Sequence, residues 1–251
     1  IENDKLNSIK PFPKQKARPC VFEYIYFARP DSLIKNKCAY EYRKNLGIEL
    51  ARETDLSADL VVPVPDSGVP AALGYAEQSK KIFELGLIRN HYVGRTFIEP
   101  SQSIRSLGVK LKLNSTKTIV KNKSLILIDD SLVRGTTCHK IVKMLYEAGA
   151  KEVHVRIASP EIKYPDFFGV DMPTKKELLA NNKNTQEMCE YINAKSLKFL
   201  SIDGMYKALI GEKRQSSYPQ FSDHYFTGDY PIKPHDNLRG IKIKQLSLLS
   251  G

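Results

Sequence analysis

Four consecutive apolar residues, Leu125 to Ile128, read as a short strand buried on both faces, the kind found in parallel sheets. The run ends on two carboxylates, Asp129 and Asp130. A loop from Ser131 to Thr137 follows, with three hydroxyls and one glycine. Ile141, Met144, Leu145 and Ala148 then recur at helical spacing up to Gly149, a good residue just past a helix end. Strand, polar turn and helix in that order place the turn at the carboxyl edge of an open α/β sheet. Ligands bind there, and the unpaired N–H groups of a helix start favour a phosphate.

The same alternation runs through the rest of the chain. Residues 1–19, with Pro11, Pro13 and Pro19, four lysines and Arg18, are linker-like in composition. Cys20 to Ala28 is aromatic and β-branched and predicts a strand. Residues 39–55 suit an amphipathic helix. Leu60 to Val64 predicts a strand closed by the small turn Pro65-Asp66-Ser67-Gly68, and Pro70 stands at N1 of a further helix. Leu87 to Val93 predicts a strand. Gly94 to Asn122 has no convincing period and carries one acid, Glu99, against Arg95, Arg105, Lys110, Lys112, Lys117 and Lys121. Its length and charge suit a basic lid over an anion, or a solvated loop with a short basic helix. Glu152 to Ala158 alternates as a half-buried strand. Residues 174–191 suit one helix, capped by Thr174 with Glu177 three positions on. Another short helix is expected after Ser201. The whole predicts an α/β fold with a mostly parallel sheet covered on both faces, spanning 20–238, and a basic tail at 239–251.

Composition then narrows the partners. A net charge of +11 over 251 residues favours anionic ligands without choosing between nucleotides, nucleic acid and acidic lipid. No apolar run approaches eighteen residues, so no membrane span is expected, and no signal-like start is seen. The first residue is Ile1, which suggests a fragment or a processed product. Cys20, Cys38, Cys138 and Cys189 lie far apart without a C-x-x-C pair, which predicts reduced structural thiols and a cytoplasmic setting. A nucleic-acid partner would rest on charge alone, with no recognisable module, and is not expected.

Two carboxylates at a strand end suit a hard divalent ion and sugar hydroxyls. Ser131, Gly135, Thr136 and Thr137 supply hydroxyl and backbone donors for a phosphate, and Gly135 permits close approach. The loop has no Walker A pattern. The stretch LILIDDSLVRGTT resembles the phosphoribosyl-pyrophosphate loop of the type I phosphoribosyltransferases. FEYIYFARPDS (Phe22 to Ser32), VPVPDSG (Val62 to Gly68), NHYVGRTFIEPSQ (Asn90 to Gln102) and SPEIKYPDFFGVDMP (Ser159 to Pro173) are similar, more narrowly, to the amidophosphoribosyltransferases. The likeness is collinear from about Arg18 to Asn237.

That resemblance implies a type I phosphoribosyltransferase fold with a flexible lid, and a pentosyltransferase of purine synthesis. It would form phosphoribosylamine from phosphoribosyl pyrophosphate and ammonia. It implies that Asp129 and Asp130 hold the ribose hydroxyls and Mg2+, with Ser67 a third metal-site position. Ser131, Arg134, Gly135, Thr136 and Thr137 would cradle the 5′-phosphate. Tyr92, Arg95, Thr96, Ile98 and Lys112 would lie on the lid, with Arg89 just before it, and Arg95 and Lys112 would be catalytic cations on the pyrophosphate. Val133 and Arg134 stand where base-salvaging relatives commonly carry an acid. The cysteine nucleophile of the family's N-terminal glutaminase domain has no counterpart in this sequence. Free ammonia is therefore implied rather than glutamine, with a separate glutaminase chain and purine nucleotide inhibitors as further partners and a homo-oligomer as the assembly. Some members hold an iron–sulfur cluster. Here Cys20 matches one of its positions, Asp166 replaces another and Gln215 to Tyr230 has no cysteine, so no cluster is expected. A non-catalytic sensor of phosphoribosyl pyrophosphate or a nucleotide is the alternative.

Overall fold

The computed structural model of the chain describes residues 16–90 and 113–232. The basic tail at 239–251 and most of 1–19 lie outside them. Two small strands, β1 (Leu33–Ile34) and β2 (Lys37–Cys38), pair antiparallel ahead of helix α1 (Ala39–Thr54). There follow β3 (Leu60–Pro63), α2 (Val69–Ser79), β4 (Ile82–Phe83), β5 (Leu87–Arg89), β6 (Leu113–Ser115) and α3 (Lys117–Val120). Next are β7 (Ser124–Asp129), α4 (Thr136–Glu147), β8 (Glu152–Ile157), α5 (Leu179–Asn182) and α6 (Thr185–Tyr191). The order closes with β9 (Ser196–Phe199), α7 (Ile202–Ile210) and α8 (His224–Thr227).

Five strands form one parallel sheet in the order β4-β3-β7-β8-β9. Counted along the chain, that is the 2-1-3-4-5 order of a doubly wound sheet, which reverses direction between β3 and β7. The central strand β7 is buried on both faces because alternate side chains feed two cores. Ile126 and Ile128 join Tyr42, Leu46, Ala72, Tyr75 and Met205 on one side. Leu125 and Leu127 join Ile141, Leu145, Val153 and Val155 on the other. Full burial of one such side chain stabilises the fold by about 1.5–3 kcal/mol, and this explains why the strand is apolar without alternation.

Several elements differ from the sequence expectation. Cys20 to Ala28 is a helical turn with π geometry over Glu23–Phe27, and only Cys20 bridges to a neighbouring segment, at Ser222. The buried residues Val21, Phe22, Tyr24 and Ile25 recur at three- and four-residue spacing, so a helix buries them together. Strand β8 is buried on both sides: His154 and Arg156 are buried too, Arg156 against the end of α1. The Arg156 Nε–H donates to the Thr54 carbonyl at 3.0 Å, and His154 Nδ1 meets Ser196 Oγ at 2.8 Å. The helix expected over 174–191 is broken into a 3-10 turn at Lys175–Glu177, then α5 and α6. Asn184 forms a second capping box with Glu187 and starts a new helix there. Pro70 occupies the second helical position, one beyond N1.

Two features hold the frame. Helices α1 and α2 touch through glycines, since a Cβ on Gly47 would run into the Ala71 carbonyl and one on Gly74 into the Lys44 carbonyl. The late segment is clasped by buried charges. Asp223, fully buried, accepts from Arg214 Nε at 2.6 Å and Tyr206 Oη at 2.8 Å, and Arg214 also reaches Asp229 at 2.8 Å. Arg18, expected in a linker, instead donates to the Phe221 carbonyl at 3.2 Å. Beside them His224 Nε2 lies 2.7 Å from Asp166 Oδ1 and its Nδ1 3.1 Å from Ser222 Oγ. Burial pushes the His224 imidazole below its usual value, and Asp166 offsets only part of that.

A Gly47→Ala variant gains about 1 kcal/mol of helix propensity. It must also force two helix backbones apart, an overpacking that typically costs about 1–3 kcal/mol, so a net loss in urea unfolding is expected. Stability equal to wild type would contradict the contact. The depressed His224 pKa means that the unfolded chain binds more protons than the folded one below about pH 6.5. Stability should therefore fall between pH 7.5 and 5.5, and by less in His224→Gln. An undiminished fall in the variant would show that His224 does not contribute.

Candidate functional site

Strand β7 stops at Asp129, whose carbonyl accepts from Ala158 N at 2.9 Å. This bond to the chain just past β8 fixes where the next residues begin. The Asp130 N–H donates to Asp129 Oδ1 at 2.9 Å, turning the chain so that both carboxylates stay at the strand end. Asp130 is 8 % exposed, and Ser131 Oγ donates to its Oδ1 at 2.5 Å. Burial pushes Asp129 well above the ordinary carboxylate range, and the neighbouring Asp130 pushes it further. Burial raises Asp130 as well, against the pull of Ser131, Ser67 and the Arg43 guanidinium.

The loop is shorter than expected, because α4 begins at Thr136 directly after Gly135. Gly135 holds φ +74°, a conformation that a side chain disfavours. Thr136 and Thr137 thus stand in the first turn, where N–H groups have no intrahelical acceptor. A cavity of about 210 Å³ opens there, lined by Asp129 and by Ser131 to Cys138. Arg134 lines it too, yet its Nε and Nη2 lie 3.2 and 3.1 Å from Glu177 Oε1.

Across the switch point, the turn after β3 comes alongside. Val64 N donates to the Ile128 carbonyl at 2.8 Å, and Gly68 N donates to Val64 O at 2.9 Å. A Cβ on Gly68 would lie 2.6 Å from the Ile128 carbonyl, so glycine is what lets this turn approach the carboxylate end of β7. Ser67 is thereby brought to Asp130. Arg89 ends β5, and its Nη1 meets Asp66 Oδ2 in the same turn at 2.5 Å. Tyr92, Arg95, Thr96, Ile98 and Lys112 lie outside the described residues.

Asp66 and Arg43 are the site residues that sequence reasoning missed. Asp66 is the only acid in the small turn that holds Ser67. Arg43 is a cation four positions after Ala39 on the buried stripe of α1, and it is 5 % exposed. Its guanidinium donates to the carbonyls of Tyr24 at 3.1 Å and Ala28 at 2.7 Å. It thereby ties the helical turn before α1 to the neighbourhood of Asp130. A signal was available in an arginine on the mostly apolar buried stripe of the helix.

The donor set suits a divalent cation of the magnesium kind. Adjacent carboxylates taken partly out of water ionise together more readily when a cation compensates them, and such ions commonly take one or two carboxylates plus phosphate oxygens. Among the described residues no three His, Cys, Asp or Glu side chains converge, so phosphate oxygens would complete the set. Elsewhere, a cavity of about 590 Å³ adjoins Cys20, Phe168, Ser222 and His224. Cys20 Sγ there lies 3.3 Å from Tyr225 Oη. All four cysteines are free. No helix among the described residues is long and apolar enough to cross a membrane.

The family described as "Phosphoribosyl transferase domain" matches residues 40–164, which hold β3, β7, β8 and both turns of the site. Amidophosphoribosyltransferase of Rhizobium etli is 54 % identical over 246 residues, covering 98 % of this chain and 50 % of its own length. The chloroplastic amidophosphoribosyltransferase 1 of Arabidopsis thaliana is 47 % identical over 245 residues, 98 % of this chain and 42 % of its own. A solved glutamine phosphoribosylpyrophosphate amidotransferase from B. subtilis, complexed with ADP and GMP, superposes with a TM-score of 0.77 at 48 % identity. It covers 85 % of this chain and 47 % of that one. The chain spans about half the length of the curated relatives it matches. With the doubly wound sheet and the loop at its switch point, these likenesses show that the chain belongs to the amidophosphoribosyltransferase family, matched through its phosphoribosyl transferase domain.

Proposed function

We propose that this chain transfers the phosphoribosyl group of phosphoribosyl pyrophosphate to ammonia and releases pyrophosphate. The observation that carries the reading is the pair of adjacent carboxylates at the end of β7, with Asp129 lining one cavity with the start of α4 and Asp130 beside the Ser67 turn across the switch point. A ribose with phosphorylated groups at both ends matches that layout. Thr136, Thr137, Gly135 and Ser131 would take the 5′-phosphate on hydroxyls and first-turn N–H groups. Asp129 and Asp130 would accept from the ribose hydroxyls, and the Ser67 turn would receive the pyrophosphate. Arg89 beside it, with Arg95 and Lys112 from outside the described residues, would add positive charge. Tyr92, Thr96 and Ile98 belong to the same proposed lid.

In the reaction the bond from C1 to the pyrophosphate oxygen breaks and a bond from C1 to nitrogen forms. Neutral ammonia supplies the electron pair, and the ammonium product sheds a proton. Because ammonia is already nucleophilic, the loop needs no general base, in keeping with Val133 and Arg134 at its centre. The protein's task is to orient C1 and to hold cations where charge grows on the leaving group. Mg2+ held by Asp129, Asp130 and Ser67 would supply Lewis-acid neutralisation of that charge. A cytoplasmic setting and a homo-oligomeric assembly belong to the same reading. Purine nucleotides as inhibitors are supported by the B. subtilis relative solved with ADP and GMP. A separate glutaminase chain would be the partner for glutamine use, since the longer relatives extend beyond the matched region. Retention of both carboxylates at the strand end favours catalysis over a sensor.

Pyrophosphate release from phosphoribosyl pyrophosphate should require Mg2+ and ammonia, and glutamine should not replace ammonia. An Asp130→Asn variant should lose roughly 100-fold or more in turnover, the scale of one preorganised transition-state contact. Tight substrate binding with equal, negligible turnover in both proteins would favour the sensor instead.

A further inference from the structure

The segment after β8 closes on the back of the loop at three consecutive residues, 133 to 135, and again at His139. The Leu179 N–H donates to the Val133 carbonyl at 2.9 Å. Arg134 is held by Glu177, as above. A Cβ on Gly135 would lie 2.6 Å from Leu179 Cδ2 and 3.1 Å from the Tyr191 ring. The His139 Nδ1–H donates to the Tyr191 carbonyl at 2.9 Å, one turn into α4. Glu177 is itself fixed, since its Oε2 accepts from Thr174 N at 3.1 Å and Thr174 Oγ1 at 2.9 Å. The residues contacted, Val133, Arg134, Gly135 and His139, cover the second half of the turn and the first turn of the helix. A six-residue turn with a glycine at positive φ has several backbone arrangements available, and each contact removes some of them.

We propose that residues 174–191 brace the phosphate loop, and that Glu177, acting through Arg134, is a positioning residue for the 5′-phosphate cradle. The proposal rests on the reading of the site given above. Arg134 then serves the loop from behind: its guanidinium spans to the brace, and the phosphate is left to the N–H and hydroxyl groups of Ser131 and Gly135 to Thr137. Both partners of the pair are about half exposed, at 53 % and 47 %, which limits its strength. The expected effect is several-fold rather than a loss of function, roughly three- to fivefold in affinity.

A charge swap separates positioning from direct phosphate contact. Arg134→Glu and Glu177→Arg, made singly, should weaken ribose 5-phosphate binding and raise KM for phosphoribosyl pyrophosphate about three- to fivefold, the change falling on KM rather than kcat. The double variant should recover most of both. If Arg134 touched the phosphate itself, the double variant would bind as poorly as Arg134→Glu, and that result would overturn the proposal. A ligand-free readout runs beside it. Amide exchange at residues 133–139 should quicken in each single variant and slow again in the double. Unchanged exchange would also overturn the brace. Failure of the wild-type chain to bind ribose 5-phosphate, with the exchange pattern as expected, would instead count against the proposed function.

Discussion

Two adjacent carboxylates held at the end of a buried strand, Asp130 buried and Asp129 half-buried, are the constraint on which the site depends. Asp129 and Asp130 are both pushed toward the neutral form by burial, and Asp129 further by its neighbour. An arrangement of this kind is expensive in a ligand-free protein, and cores are not built this way for stability. It becomes favourable when a cation and several hydroxyl donors arrive together. The surroundings soften the repulsion without removing it: Ser131 donates to Asp130, and Ser67 and the Arg43 guanidinium lie near enough to lower it.

The sheet order explains why these groups meet. Strands β3 and β7 are neighbours in the sheet but are separated in the chain by α2, β4, β5, β6 and α3. Their following turns diverge to opposite faces and leave a crevice between them. Gly68 lets one turn approach, and the bond from Ala158 to Asp129 fixes the other. Helix α1 closes the arrangement from one side through Arg43. The broken helix over 174–191 closes it from another through Glu177, Leu179 and Tyr191. The site is therefore shaped by residues far from its carboxylates.

Much of this was legible in the sequence, for reasons that differ between elements. The run Leu125 to Ile128 could be read because a central parallel strand buries both faces, leaving a signature that a surface element does not. The loop was legible because hydroxyls and a glycine between a strand and a helix have few other uses. Cys20 to Ala28 was misread because aromatic residues fit strands and buried helical turns alike, and only the three- and four-residue spacing of the buried set distinguishes them. The alternation of Glu152 to Ala158 predicts an exposed face carrying His154 and Arg156, because polar residues usually face water. In the folded chain both are buried, Arg156 bonding Thr54 at the end of α1 and His154 meeting Ser196 through Nδ1, with its Nε2 left without a hydrogen bond among the described residues. Arg134 was assigned to phosphate by resemblance, and its bond to Glu177, forty-three residues away, could not be read from local pattern.

The central claim is that one crevice receives a ribose carrying a phosphate at one end and a pyrophosphate at the other. A crystal structure of the chain with Mg2+ and a non-hydrolysable analogue of phosphoribosyl pyrophosphate tests it most directly. The account predicts the 5′-phosphate on the N–H groups of Thr136 and Thr137, the ribose hydroxyls at Asp129 and Asp130, and the pyrophosphate beside Ser67 and Arg89. An analogue seated in the cavity beside Cys20 and His224, with the β7 loop empty, would contradict it.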